Sequence, residues 1–108
     1  MRFILRTDGH DVDQALRDSL KRGLHFALSR FGDRVRRVAV TFARARRDSV
    51  DGFDTRCRLL VQLAPSGRVR VEVADTDLES AWRRALHRVG PAVDREIASA
   101  REIGRNLP

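Results

Sequence analysis

The sequence predicts an α+β domain ordered strand, helix, three strands, helix, with a four-stranded mixed sheet covered on one face by both helices. Three observations lead there. Apolar residues recur at every second position over Arg2–Thr7, Arg37–Ala43, Arg56–Leu63 and Val69–Val73. They recur at helical spacing over Val12–Phe31 and Leu78–Ile97. The chain of 108 residues is long enough for one apolar core and too short for a second, so residues 1–108 are expected to form a single domain.

Taken in order, Phe3 and Leu5 alternate with Arg2, Ile4 and Arg6 in the first strand. Asp8, Gly9, His10 and Asp11 supply turn and cap chemistry for the first helix, whose stripe is Val12, Leu16, Leu20, Leu24, Ala27 and Phe31, up to Gly32. Gly23 lies in that stripe. It costs about 1 kcal/mol of helix propensity there but admits close approach of another backbone, which predicts a helix packed against it. Val38, Val40 and Phe42 mark the second strand, Arg44 to Asp54 reads as a polar loop, and Cys57, Leu59, Val61 and Leu63 mark the third. After the turn at Pro65, Ser66 and Gly67, Val69, Val71 and Val73 complete a hairpin.

Thr76 with Glu79 has the spacing of a capping box and starts the second helix, striped by Leu78, Trp82, Ala85, Leu86, Val89, Val93 and Ile97. Gly90 and Pro91 interrupt that stripe. The sequence leaves open a kink or a break followed by a helical extension over residues 91–108, with a frayed tail after Ile103. The helical crossover makes the first two strands parallel, and the last three form an antiparallel meander. One sheet face is left open.

The chain has 22 basic and 15 acidic residues, a formal charge of +7, and every basic residue except Lys21 is arginine. Such a balance favours a polyanionic partner, and the guanidinium fork suits phosphate. Genomic base composition also enriches arginine, so the weight falls on where the arginines lie. Placing the strands' apolar alternation in the core sends Arg2, Arg6, Arg37, Arg56, Arg58, Arg68 and Arg70 to the open face, with Glu72 nearly the only acid there. Arg84, Arg88 and Arg95 form one stripe on the second helix, beside His87. The first helix offers Arg17, Lys21, Arg22 and His25, with Asp18 spaced to pair with Arg22. Helices lying side by side would merge the two stripes into one ridge.

Other function classes find little support. His10, His25 and His87 lack metal-ligand or catalytic spacing, and no phosphate loop, nucleophile motif or carboxylate pair stands out. A non-enzyme without cofactor, metal or small-molecule substrate is expected. Cys57 is the single cysteine, which excludes an intramolecular disulfide, fits a reducing cytosol, and reads as a small core residue. Trp82 reads as packing. The start of the chain has three apolar residues between Arg2 and Arg6, too few for a signal-peptide core or a membrane span, so a cytoplasmic location without membrane attachment is expected.

Three stretches resemble the ribosome-hibernation promoting and ribosome-associated inhibitor family. They are Thr7–Val12 with Ala15, Leu16 and Arg17, then Arg30–Val35 leading to Val38 and Val40, and Ala74–Glu79 leading to Ala81, Trp82 and Leu86. The likeness spans about residues 1 to 97. It implies the same element order, a likeness to double-stranded-RNA-binding domains, and binding to small-subunit rRNA near the decoding region, where the protein would occupy mRNA and tRNA space. It also implies a ribosome-associated stress-response factor, monomeric when free, in a short form without a C-terminal dimerisation domain. By this resemblance Arg88 takes the place of a helix-two lysine and Arg95 lies near that helix's basic end. The sequence departs from relatives at Gly23 and Phe26, where they often carry lysines, and at Pro91, where a basic residue is common. The expected rRNA-binding set is Lys21, Arg22, Arg84, Arg88 and Arg95 from the helices with Arg37, Arg58 and Arg70 from the sheet. The alternative is a generic double-stranded-RNA-binding or acidic-protein-binding module using the basic sheet face.

Overall fold

The computed structural model describes residues 1–46 and 53–106. Its elements are β1 (Arg2–Asp8), α1 (Gln14–Leu28), a 3-10 segment (Ser29–Arg34), β2 (Val35–Arg46), β3 (Phe53–Leu63), β4 (Arg68–Asp75) and α2 (Leu78–Asn106). The strands lie side by side in sequence order, β1 parallel to β2, with β2–β3 and β3–β4 antiparallel. Both helices cover one face. This is the predicted α+β architecture.

The core forms because the inward positions of every strand are apolar. Val38, Val40, Phe42, Cys57 and Leu59 are fully buried, and Leu20, Leu24, Val89 and Val93 close over them from the helices. Trp82, 8% exposed, packs its ring 5.9 Å from that of Phe42, as a core residue should. The second helix packs against Gly23 as predicted, but it is side chains rather than backbone that approach closely. A Cβ there would sit 3.1 Å from Leu86 Cδ1 and 3.3 Å from Trp82 Nε1, so its absence lets α1 and α2 close together. Arg30 clamps the far end of that seam through a 2.7 Å ion pair to Asp94.

Several boundaries move. α1 is capped by Asp13, whose carboxylate accepts from Leu16 N at 2.8 Å, so the Asp8–Asp11 stretch supplies the turn, with Gly9 at φ +76°, but not the cap. The helix stops at Leu28, and Phe31 belongs to the 3-10 segment, where Gly32 takes φ +56°. The hairpin between β2 and β3 is longer than predicted, since alternation continues to Arg46 and resumes at Phe53. Arg47 to Gly52, from the expected loop, lie outside the described residues.

The capping box is also displaced. Asp77 rather than Thr76 caps α2, accepting from Ser80 N at 2.8 Å, while Thr76 N donates to Asp75 Oδ1 at 2.7 Å. The Asp77 carboxylate, one residue later, reaches the orphan amide as well as a hydroxyl would. The bond from Ser80 N holds the Asp77 carboxyl below its usual range. The folded form therefore gains from this cap above pH ~4 and loses it as pH falls through the depressed value. Asp77→Ala should lower the thermal midpoint by a few degrees at neutral pH, and the difference from the parent should shrink in acid.

Pro91 neither breaks nor ends α2, which runs unbroken from Leu78 to Asn106. Pro91 is exposed. Its missing N–H leaves the His87 carbonyl without its helical donor on a side that water reaches. The expected frayed tail is helical as far as Asn106, and Leu107 and Pro108 lie outside the described residues.

Candidate nucleic-acid interface

The strand register builds the open face from rows that run across the sheet. Arg2, Arg37, Gln62 and Arg68 are registered neighbours, and two residues along each strand come Ile4, Ala39, Leu60 and Arg70. Arg6, Thr41, Arg58 and Glu72 form the next row. The predicted orientation of the strand arginines therefore holds. Glu72 gathers three of them, with Arg70 Nη2 at 2.9 Å and Arg56 Nε and Arg58 Nη2 each at 3.6 Å. The Arg70 hydrogen bond, with the other two guanidiniums, holds the Glu72 carboxyl below its ordinary range despite some desolvation. One carboxylate cannot neutralise three cations. Arg58 Nε in addition is buried without a hydrogen-bond partner.

Helix α2 supplies the second part of the surface. Arg88 and Arg95, with His87, Pro91 and Ala92, line a groove against β4, whose opposite wall is Arg70, Val71 and Glu72. The spacing of Arg88, Pro91 and Arg95 puts them on the flank of α2 away from its α1 seam, and β4 is an edge strand, so among the described residues no further strand covers this flank. The groove thus joins part of the helix stripe to part of the sheet set, a convergence of Arg70, Arg88 and Arg95 that neither local pattern reveals.

The other predicted residues are placed differently. Arg84 is turned to the end of β4, donating from Nη1 to the Ala74 carbonyl at 2.6 Å, with Asp75 Oδ2 at 3.8 Å. Lys21 and Arg22 lie with Asp18 and His25 on a separate patch of α1. Asp18 accepts from Gln14 Nε2 at 2.8 Å instead of pairing with Arg22, although its carboxylate stays within that patch. The helices do lie side by side, but the stripes do not merge into one ridge. Trp82 and Leu86 face Gly23 in the seam, while Arg88 and Arg95 face the β4 groove. Besides Met1 at the start of the chain, two large apolar side chains are exposed: Phe26 on α1, 90% exposed, at a position where relatives often carry lysine, and Leu60 on β3, 45% exposed, which was not anticipated. Leu60 was detectable, because it occupies an outward position in the alternation of its strand.

Cys57 is buried, and burial pushes its thiol up to about 12, far from the thiolate needed for nucleophilic chemistry. Cys57→Ser should destabilise the fold by about 1–3 kcal/mol by burying a hydroxyl without a partner, measurable by urea unfolding, while binding per folded molecule stays unchanged. Among the described residues, no three histidine, cysteine or acidic side chains are grouped to hold a metal ion. No helix among them is long and apolar enough to cross a membrane.

No family model and no curated protein sequence matches the chain. Among solved structures, the fold is similar to that of the Thermus thermophilus Protein Y N-terminal domain, at 30% identity and a TM-score of 0.71, over 88% of this chain and 98% of that one. It is also similar to a ribosomal subunit interface protein from Coxiella burnetii, at 16% identity and a TM-score of 0.70, over 88% of this chain and 96% of that one.

Proposed function

We infer, for a chain that belongs by fold and by 30% identity with the Protein Y N-terminal domain, that it is a ribosome-associated hibernation factor of the cytoplasm, acting without catalysis. In this reading it binds small-subunit rRNA near the decoding region and blocks the positions of mRNA and tRNA. The similarity over nearly the whole of that domain carries the reading, and the Coxiella protein, named for the ribosomal subunit interface, points the same way.

The surface is suited to the task. Arg70, Arg88 and Arg95 present guanidiniums from two walls of one groove, a geometry that can straddle a phosphate backbone and hold it from both sides. Lys21 and Arg22 form a second phosphate-binding patch on α1. Arg37 and Arg58 raise the potential of the sheet face and steer the approach to rRNA, and Arg84 supports the groove by fixing α2 to the end of β4. Sucrose-gradient sedimentation tests the reading. The protein should travel with small subunits at low salt and leave them as salt rises. Continued sedimentation at the top of the gradient under both conditions would refute it, and association that survives nuclease digestion of the rRNA would transfer the contact to protein.

A further inference from the structure

Phosphate binding does not explain the middle of the open sheet face. Between the row of Arg2, Arg37, Gln62 and Arg68 and the row of Arg6, Thr41, Arg58 and Glu72 runs a row that is aliphatic on its first three strands, Ile4, Ala39 and Leu60, and ends at Arg70 on β4. Leu60 is 45% exposed, and Arg37, Ala39, Leu60, Gln62, Arg68 and Arg70 line a shallow depression over it. An apolar floor with cationic walls is poorly matched to water and equally to a bare phosphate chain.

We propose that this depression, with Ile4 adjoining it on β1, docks an acidic amphipathic helix of a protein partner, with the helix's apolar stripe on Ile4, Ala39 and Leu60 and its carboxylates on Arg37 and Arg68. The floor decides between protein and nucleic acid. Unpaired bases are held on aromatic platforms, and among the described residues no open-face register position of the four strands is aromatic: Phe3 and Phe42 pack toward the core, and position 53 falls outside the open-face alternation of β3. Aliphatic side chains gain most from other apolar side chains.

The charge distribution sets the orientation. The acids of this face, Asp8, Asp54 and Glu72, stand toward one end, whereas the row of Arg2, Arg37 and Arg68 at the other end contains no acid. Carboxylates of the occupant are therefore directed to that row, where a guanidinium can hold them bidentately. A helix suits the face better than a strand, because strands add at sheet edges and faces are covered by helices, as α1 and α2 cover the other side. Four strands at about 4.8 Å spacing span about 14 Å, the length of about ten helical residues.

The test uses a synthetic 14-residue helix-favouring peptide, with leucines forming one stripe and glutamates flanking it, titrated into the methyl-labelled free protein. The Ile4 and Leu60 methyl resonances should shift and saturate. Leu60→Ser should weaken the peptide about tenfold, the value of one half-exposed apolar contact. Arg37→Gln with Arg68→Gln should weaken it at least as much, as should replacing the peptide's glutamates by glutamines. Circular dichroism checks that each variant is folded, and the arginine pair carries the test if the Leu60 variant is not. Absence of methyl shifts at millimolar peptide would overturn the proposal. So would a 12-nucleotide single-stranded RNA that shifts the same methyls and displaces the peptide, since the face would then belong to nucleic acid. With no ribosome in the experiment, its failure and a failure of ribosome sedimentation remain distinct.

Discussion

Phe42→Ala is expected to cost the domain about 3–5 kcal/mol, enough to leave a small domain largely unfolded at 37 °C. Phe42 has no exposed surface, and its ring lies 5.9 Å from that of Trp82 at 59°. It links the middle of β2 to α2, so truncation removes both the transferred apolar surface and an aromatic pair. The neighbouring strand cannot collapse into the space, because β2 is fixed by ladders to β1 on one side and β3 on the other. Thermal and urea unfolding followed by circular dichroism should show the loss. A cost below about 1 kcal/mol would mean that the core relaxes around the cavity and that the sheet is far more compliant than its pairing indicates.

Replacing Arg88 and Arg95 together by alanine should weaken small-subunit binding by at least about tenfold, since each guanidinium–phosphate contact is a charge-assisted hydrogen bond. The salt dependence is the more discriminating readout. Each phosphate neutralised contributes a slope of about 0.7–0.9 in log affinity against log salt, so the double variant should flatten the line by about 1.4–1.8. Arg88→Ala alone should flatten it by somewhat under one. A variant that acted by unfolding would reduce the bound fraction and leave the slope unchanged. Both arginines are exposed on α2 and make no ion pair among the described residues, so the fold should tolerate their loss. Unchanged affinity and slope would remove the β4 groove from the rRNA-binding surface.

The order of elements, the strand pairing and the inward face of each strand were legible in the sequence because alternation with period two leaves one register that buries no arginine. Helix ends were less legible. Asp11 and Asp13 offer the same carboxylate, as Thr76 and Asp77 offer competing acceptors, and only the backbone direction at the helix start decides which one meets an amide. Pro91 could not be resolved from local rules, because whether a helix continues through proline depends on whether the unpaired carbonyl reaches water, a property of the packed molecule. The candidate site was half legible. Outward arginines follow from alternation, but the meeting of Arg70 with Arg88 and Arg95 depends on which strand lies at the edge beneath α2. Likewise Arg84 looked equivalent to Arg88 until its bond to the Ala74 carbonyl separated them.

The sheet order also divides the assembly of the molecule into unequal tasks. β2, β3 and β4 are joined by hairpin connections, so their ladders can zip from neighbouring residues with little loop-closure entropy. β1 is different. Its register pairs Arg2 with Arg37, and it can find that partner only after the whole of α1 and the following 3-10 segment has folded back across the sheet. The meander is therefore the part of the fold able to nucleate early, and β1, which emerges first from a translating ribosome, is the strand that must wait longest for its place.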